Sequence, residues 1–189
     1  MNLLERSAIL LVSIALSVGL IALLSGFFAS RDQGTVLVSR TVTGKRFRDL
    51  GDAVLRPGQP RPRYDSNPPT SGAHLPVAVT QDAVRLNEDQ VLGALAAGDV
   101  VIAYGGPLPP PGLSTLASAL APSFTPALAQ AGPAVILDQR PGTVGLIGLA
   151  WAHMIRVADA SSPSLRAFAA YWLGHGAPRR RSANRRARP

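Results

Sequence analysis

Asn87-Glu-Asp-Gln-Val-Leu-Gly-Ala-Leu-Ala-Ala-Gly98, followed after one residue by Val100-Val-Ile-Ala-Tyr104, sets a helix directly against a strand. Asn87 or Glu88 opens the helix, which runs to Ala97. Gly98 closes it, because glycine takes the left-handed conformation of a helix C′ position without a Cβ clash. The five residues that follow are a short unbroken apolar run of strand type. Further on, the loop Gly105–Gly112 carries four prolines. Residues 114–131 are expected to be helical, with breaks at Pro122 and Pro126. Residues 134–137 and 144–157 supply more strands, and the second run ends in an alternation suited to a half-buried strand. Ser162 as N-cap and Pro163 at the first helical position open a helix to Leu173 that stops at Gly174. Its apolar stripe is Leu165, Phe168, Ala169 and Trp172. Helices and strands mixed in this way, with no internal repeat, give an α+β fold class: one small mixed α/β globular domain.

The chain has 189 residues, 47% hydrophobic and 16% charged, so its middle has the composition of a folded core. It has no cysteine, which excludes disulfides, thiolate metal sites and cysteine nucleophiles. Of the net charge of +8, six charges are the tail arginines 179, 180, 181, 185, 186 and 188, and the tail has no acidic residue. The body is therefore close to neutral.

From Ser7 to Ser30 there is no charge. The apolar stretch 7–28 is roughly 33 Å long as a helix at about 1.5 Å per residue, which spans a bilayer. A cleaved signal peptide would have a shorter apolar region ending in a small-x-small site, and here Phe27 and Phe28 occupy the −3 position. An uncleaved single-pass anchor is the expectation. The uncharged stretch 100–137 contains seven prolines, which would break a second spanning helix repeatedly. The expected organisation is an anchor over 1–30, a linker with a short strand (35–42) over 31–63, an α+β domain over 64–177 and a basic tail over 178–189. The bilayer is then one partner. The arginine tail suits anionic lipid or an envelope polymer, each arginine adding about 1 kcal/mol near a charged surface. With no aromatic residues between its arginines, the tail argues against nucleic acid.

Tyr64-Asp-Ser-Asn-Pro-Pro-Thr-Ser-Gly-Ala-His74 reads as a rigid polar turn that presents one histidine. Pro68 and Pro69 fix φ, Thr70 and Ser71 can bond to local backbone, and Gly72 admits a positive φ. The other histidines are His153, inside the alternating strand, and His175, between two glycines at a helix end where it can cap carbonyls. None of the three is spaced as a local metal motif. A hydrolytic reading would use Ser71 and His74 with Asp65 or Asp138, but no Gly-x-Ser-x-Gly elbow is present. The glycines at 105, 106, 142, 145 and 148 lack phosphate-loop spacing.

The Tyr64–His74 turn resembles the Tyr-x3-Pro-Pro-Thr-Ser-Gly-x-His signature of domain-of-unknown-function family 3105, a family of bacterial membrane-anchored domains. Val100–Tyr104 is similar to the strand that follows in that family. Arg140-Pro141-Gly142, Ala150-Trp151, Asp159, Leu165, Phe168, Tyr171, Gly174 and Gly176 resemble its C-terminal half, so the likeness covers about residues 64–177. The family usually carries His-x-Leu-Glu-His-Gly before that strand. With its glycine placed on Gly98, Gly93, Ala96 and Ala97 stand where His, Glu and His would be. On a helix those positions share one face, suited to metal ligation or acid–base work. This chain keeps the helix and has no donor atoms there, and one remaining imidazole does not make a zinc site.

The expectation is a membrane-anchored, extracytoplasmic, non-enzymatic envelope or accessory protein with no cofactor, docking on a membrane complex through the uncharged stretch 100–137. The orientation rests mostly on the resemblance. The alternative is a metal-binding or enzymatic domain that joins His74 to distant side chains such as Asp138 or His153.

Overall fold

The computed structural model describes residues 42–178. The apolar stretch 7–28 and the arginine tail lie outside the described residues, as does all but the last residue of the strand expected at 35–42. Among the described residues no helix is long and apolar enough to cross a membrane.

Among the described residues, five strands form one sheet: β1 (Lys45–Arg46), β2 (Val100–Tyr104), β3 (Val135–Gln139), β4 (Leu146–Ala150) and β5 (His153–Val157). Their order across the sheet is β1-β5-β4-β2-β3. β2 and β3 run parallel, with Val100 opposite Val135 and Tyr104 opposite Gln139. The other neighbours are antiparallel, β2 with β4, β4 with β5 and β5 with β1. Among the described residues, these helices accompany the sheet: α1 (Glu88–Ala97), α2 (Leu113–Leu120), α3 (Pro126–Ala131) and α4 (Pro163–Trp172). The α2–α3 segment carries the chain from β2 to the parallel β3.

The central strands are buried on both faces, which is why β2 reads as continuous apolar sequence rather than an alternation. Val101, Ala103, Ile136, Ile147 and Leu149 pack with Val91, Ala94 and Leu95 of α1 and Ala129 of α3. Val100, Ile102, Tyr104, Val135, Leu137 and Leu146 pack with Leu113 and Leu116 of α2 and with Leu165, Phe168 and Ala169 of α4. The result is a mixed α+β sandwich in three layers.

Local chemistry sets the ends. Asn87 and Gln90 form a reciprocal capping box at the start of α1, and Gly98 closes the helix at φ 108°. Pro126, expected to break a helix, instead begins α3 at its first position, with the Thr125 side chain accepting from Leu128 N–H; a proline there loses no helical hydrogen bond. Ser162 precedes α4 as expected, but its side chain makes no capping hydrogen bond. The expected run 144–157 divides into β4 and β5 at Trp151–Ala152, where Ala152 takes φ 57°. Part of the expected linker also belongs to the fold. β1 is an edge strand on β5, and Phe47 packs against the α1-side core while its N–H donates to the Ala152 carbonyl at 2.8 Å.

Gly148 shows how closely α4 lies on β4. A Cβ there would stand 2.9 Å from Ile155 Cγ2, 3.0 Å from Leu165 Cδ1 and 3.2 Å from Phe168 Cδ1. Gly148→Val is expected to lower stability by about 1–3 kcal/mol through overpacking. A urea midpoint unchanged from the parent would contradict this packing.

Candidate functional site

The turn expected to present a histidine is hydrogen-bonded to its surroundings at Asp65, Asn67, Thr70, Ser71 and His74. The Asp65 carboxylate accepts from Arg48 N–H at 3.0 Å. Ser71 Oγ donates to the Arg48 carbonyl at 3.0 Å and accepts from Leu50 N–H at 3.1 Å. Thr70 shares a hydroxyl hydrogen bond with Ser66 at 3.2 Å, and its carbonyl accepts from Ala152 N–H at 2.9 Å. That last bond holds the left-handed Ala152 turn between β4 and β5. The Tyr64 hydroxyl donates to the Ala73 carbonyl at 2.9 Å, and burial pushes its pKa up. Pro68 and Pro69 are buried, and the Asn67–Pro68 peptide is cis. Gly72 sits at φ 133° beneath the Tyr64 ring, where a Cβ would approach Cε1 to 2.8 Å. The signature thus has a packing reason: only glycine meets both the backbone and the ring.

His74 is buried. Its backbone exchanges hydrogen bonds with residues 53 and 55, His74 N–H to the Ala53 carbonyl at 3.0 Å and Leu55 N–H to the His74 carbonyl at 2.8 Å. Its ring Nδ1 lies 2.9 Å from the Gly72 carbonyl. A carbonyl only accepts, so Nδ1 carries a hydrogen and donates it to Gly72, leaving Nε2 as the ring nitrogen without that bond. This is the orientation by which metal-binding imidazoles are commonly held. The ring abuts α1 at Gly93, where a Cβ would lie 3.8 Å from both Nε2 and Cδ2.

Gly93 and Ala97 line a groove of about 240 Å³ with Pro76, Val77, Val79 and Ala129 among its walls. Ala96 turns toward the α1-side core, and its carbonyl accepts from Ala177 N–H at 3.0 Å. The expected shared face therefore splits, with 93 and 97 open to the groove and 96 packed. A Cβ on Gly176 would run into that Ala96 carbonyl, which accounts for a glycine there.

The hydrolytic constellation is not assembled, since both hydrogen-bonding roles of Ser71 Oγ go to the 48–50 backbone. Asp138 is fully buried at the far end of β3, accepting from Leu86 N–H at 2.9 Å and from Arg140 Nε at 3.2 Å. His153 Nδ1 lies 2.8 Å from the Trp151 carbonyl, and its ring stacks on Trp172 at 3.9 Å. Burial pushes the His153 pKa down. At His175 it is the backbone N–H that reaches the Trp172 carbonyl, at 2.8 Å, while the ring stacks against Tyr171. Among the described residues, no group of three or more His, Asp or Glu side chains is placed to hold a metal ion.

Two acidic residues have roles that sequence reasoning missed. Asp89, in the first turn of α1, is buried; it accepts from Leu75 N–H at 3.0 Å and pairs with Arg61. Asp99 lies between α1 and β2 and is 1% exposed. One of its oxygens accepts from Ala134 N–H at 2.7 Å and the other has no partner among the described residues. Burial, only partly offset by that bond, pushes the Asp99 pKa up to about 7. An aspartate beside a helix start or end is ordinary in sequence, and only the surrounding layers make these two unusual.

The family model described as a protein of unknown function (DUF3105) matches residues 59–186. No curated protein and no solved structure matches this chain.

Proposed function

The chain belongs to the DUF3105 family, and from that premise we propose that it is a membrane-anchored, extracytoplasmic accessory protein of the cell envelope that performs no catalysis of its own. The observation that carries this reading is the helix face beside His74 Nε2. It offers Gly93 and Ala97, which have no donor atoms, where a metal or acid–base site would need them. The hydrogen bonds of the Tyr64–His74 turn either stay within it or join it to backbone at 48–55 and 152 and to the Arg156 side chain, which supports a structural role for the turn. The anchor is the uncharged apolar stretch 7–28.

A docking surface in the uncharged stretch 100–137 is narrower than its sequence suggests, because residues 100–104 and 134–137 are buried in the sheet. What remains outside is the proline-rich loop 105–112, with Leu108 76% exposed, and the outer sides of α2 and α3.

The full-length protein purified in detergent is expected to carry no stoichiometric metal, and His74→Ala is expected to leave the metal content unchanged. Stoichiometric metal that disappears in His74→Ala would overturn the non-catalytic reading in favour of a metal site. Mild detergent extraction followed by co-purification is expected to recover other membrane proteins, and a chain that always runs alone contradicts an accessory subunit. A topology reporter fused after Pro189 decides the orientation, where a cytoplasmic signal excludes an extracytoplasmic domain.

A further inference from the structure

At the end of the sheet where β2 and β3 finish and α1 begins, a cavity of about 540 Å³ is lined by Arg61, Arg85, Arg140, Glu88, Asn87 and Gln90, with Leu86 and Pro141. Three features of this cavity bear on one ligand chemistry.

The first is how two of the arginines are held. The buried Asp138 carboxylate accepts from Arg140 Nε at 3.2 Å, and the buried Asp89 carboxylate pairs with Arg61. The second oxygen of each carboxylate is taken up inside the protein, by Leu86 N–H and Leu75 N–H respectively. Two guanidiniums are thus anchored from behind by acids that do not line the cavity. An anchored guanidinium loses less entropy when it binds an oxyanion than a mobile one does.

The second is Arg85. It is exposed, lines the same cavity, and makes no hydrogen bond or ion pair among the described residues. The lining groups themselves number three guanidiniums and one carboxylate, Glu88, whose distance to Arg61 is 3.6 Å. With the Asp89 and Asp138 carboxylates behind Arg61 and Arg140 counted, three cations stand against three anions, and Arg85 is the cation without an acidic partner among the described residues.

The third is topological. The cavity lies at the carboxyl ends of the parallel pair β2–β3, where Arg140 N–H donates to the Tyr104 carbonyl at 2.8 Å, and beside the amino end of α1. Ligands of α/β sheets gather at the carboxyl ends of parallel strands, and a helix amino terminus favours negative charge.

We propose that this arginine-lined cavity binds a phosphate-type oxyanion, either a small phosphomonoester or the headgroup of an anionic phospholipid, through Arg61, Arg85 and Arg140. Arginine is suited to this by its planar fork, which meets two oxygens of one phosphate at once. The inference stands independently of the non-catalytic, membrane-anchored reading above, because it uses neither His74 nor the apolar stretch.

The test uses the full-length protein in a neutral detergent and phosphate-free buffer, titrated separately with inorganic phosphate, glycerol 1-phosphate, succinate and phosphatidic acid in mixed micelles. Binding is read by calorimetry and by thermal shift. The expected result is saturable binding of a phosphate ligand, weaker at higher salt, with Arg85→Gln lowering affinity by roughly tenfold or more, the loss of about 1.4 kcal/mol. Arg85 is exposed and has no partner among the described residues, so this variant should fold as the parent does, and its unliganded melting temperature checks that. Arg140→Gln should weaken binding as well, and its unliganded melting temperature separates lost binding from lost fold. Saturation by the soluble phosphates assigns a free ligand, and binding of phosphatidic acid alone assigns a lipid headgroup. The proposal is overturned if no phosphate compound binds, if succinate binds as well as phosphate does, or if Arg85→Gln binds like the parent.

Discussion

Phe168→Ala is expected to lower the stability of the folded unit by about 3–5 kcal/mol, the cost of removing a buried aromatic ring and leaving a cavity. The ring is 0% exposed and sits at the centre of the α4 stripe. Two glycines make room for it. A Cβ on Gly44 would lie 2.9 Å from Phe168 Cε2, and one on Gly148 would lie 3.2 Å from its Cδ1. Phe168 therefore fills space between α4, the central strand β4 and the chain entering β1, three segments that cannot all move inward together. Urea unfolding followed by tryptophan fluorescence reads this directly, because both tryptophans, Trp151 and Trp172, lie in the described unit. Arg166→Ala, on the exposed side of the same helix, serves as the control and should change stability by no more than about 0.5 kcal/mol. If Phe168→Ala behaves like that control, the assignment of α4 to this face of the sheet is wrong.

The second large effect is a dependence of stability on pH arising at Asp99. Its folded pKa is about 7, against 3.8 for an unperturbed aspartate. The folded state therefore holds a proton that the unfolded state has lost throughout that interval. Below the unfolded value both states are protonated and Asp99 opposes folding least. As pH rises from there toward 7, the unfolded state is favoured progressively, and above 7 the loss is complete. At about 1.4 kcal/mol for each pH unit between the two values, the total is on the order of 4 kcal/mol. His153 acts in the opposite sense, because its folded pKa is lowered. Its contribution is present above its unfolded pKa and fades as pH falls through the folded value. The two overlap, so the informative quantity is the difference between the parent and Asp99→Asn. That difference should change steadily between pH 4 and 7, with the variant gaining relative to the parent at the alkaline end. Parallel stability–pH curves for the two proteins would show that Asp99 does not carry a raised pKa.

The legibility of the chain followed the range of the interactions involved. The helix 88–97 was readable because both its ends are local: Asn87 caps it within the first turn and Gly98 stops it by its own backbone freedom. β2 was readable because burial on both faces leaves only apolar residues in a strand. The break near Pro122 and Pro126 is legible, but that Pro126 begins the second helix rather than ending the first depends on Thr125 capping it. β1 was not readable at all. Lys45 and Arg46 are exposed and polar, and they form a strand only because β5 presents an unpaired edge to them.

The candidate sites divide in the same way. The Tyr64–His74 turn pointed to the DUF3105 family from sequence alone, and the family model matches residues 59–186. That His74 turns Nε2 toward Gly93, that Ala96 is packed rather than open, and that Arg61, Arg85 and Arg140 meet around one cavity all depend on segments far apart in the chain. Residue types and short spacings are enough to set helix ends, buried strands and the family, because those depend on neighbours a few positions away. The partners of a buried acid or an exposed arginine are chosen by how the layers close, and for this protein only the tertiary structure decided them.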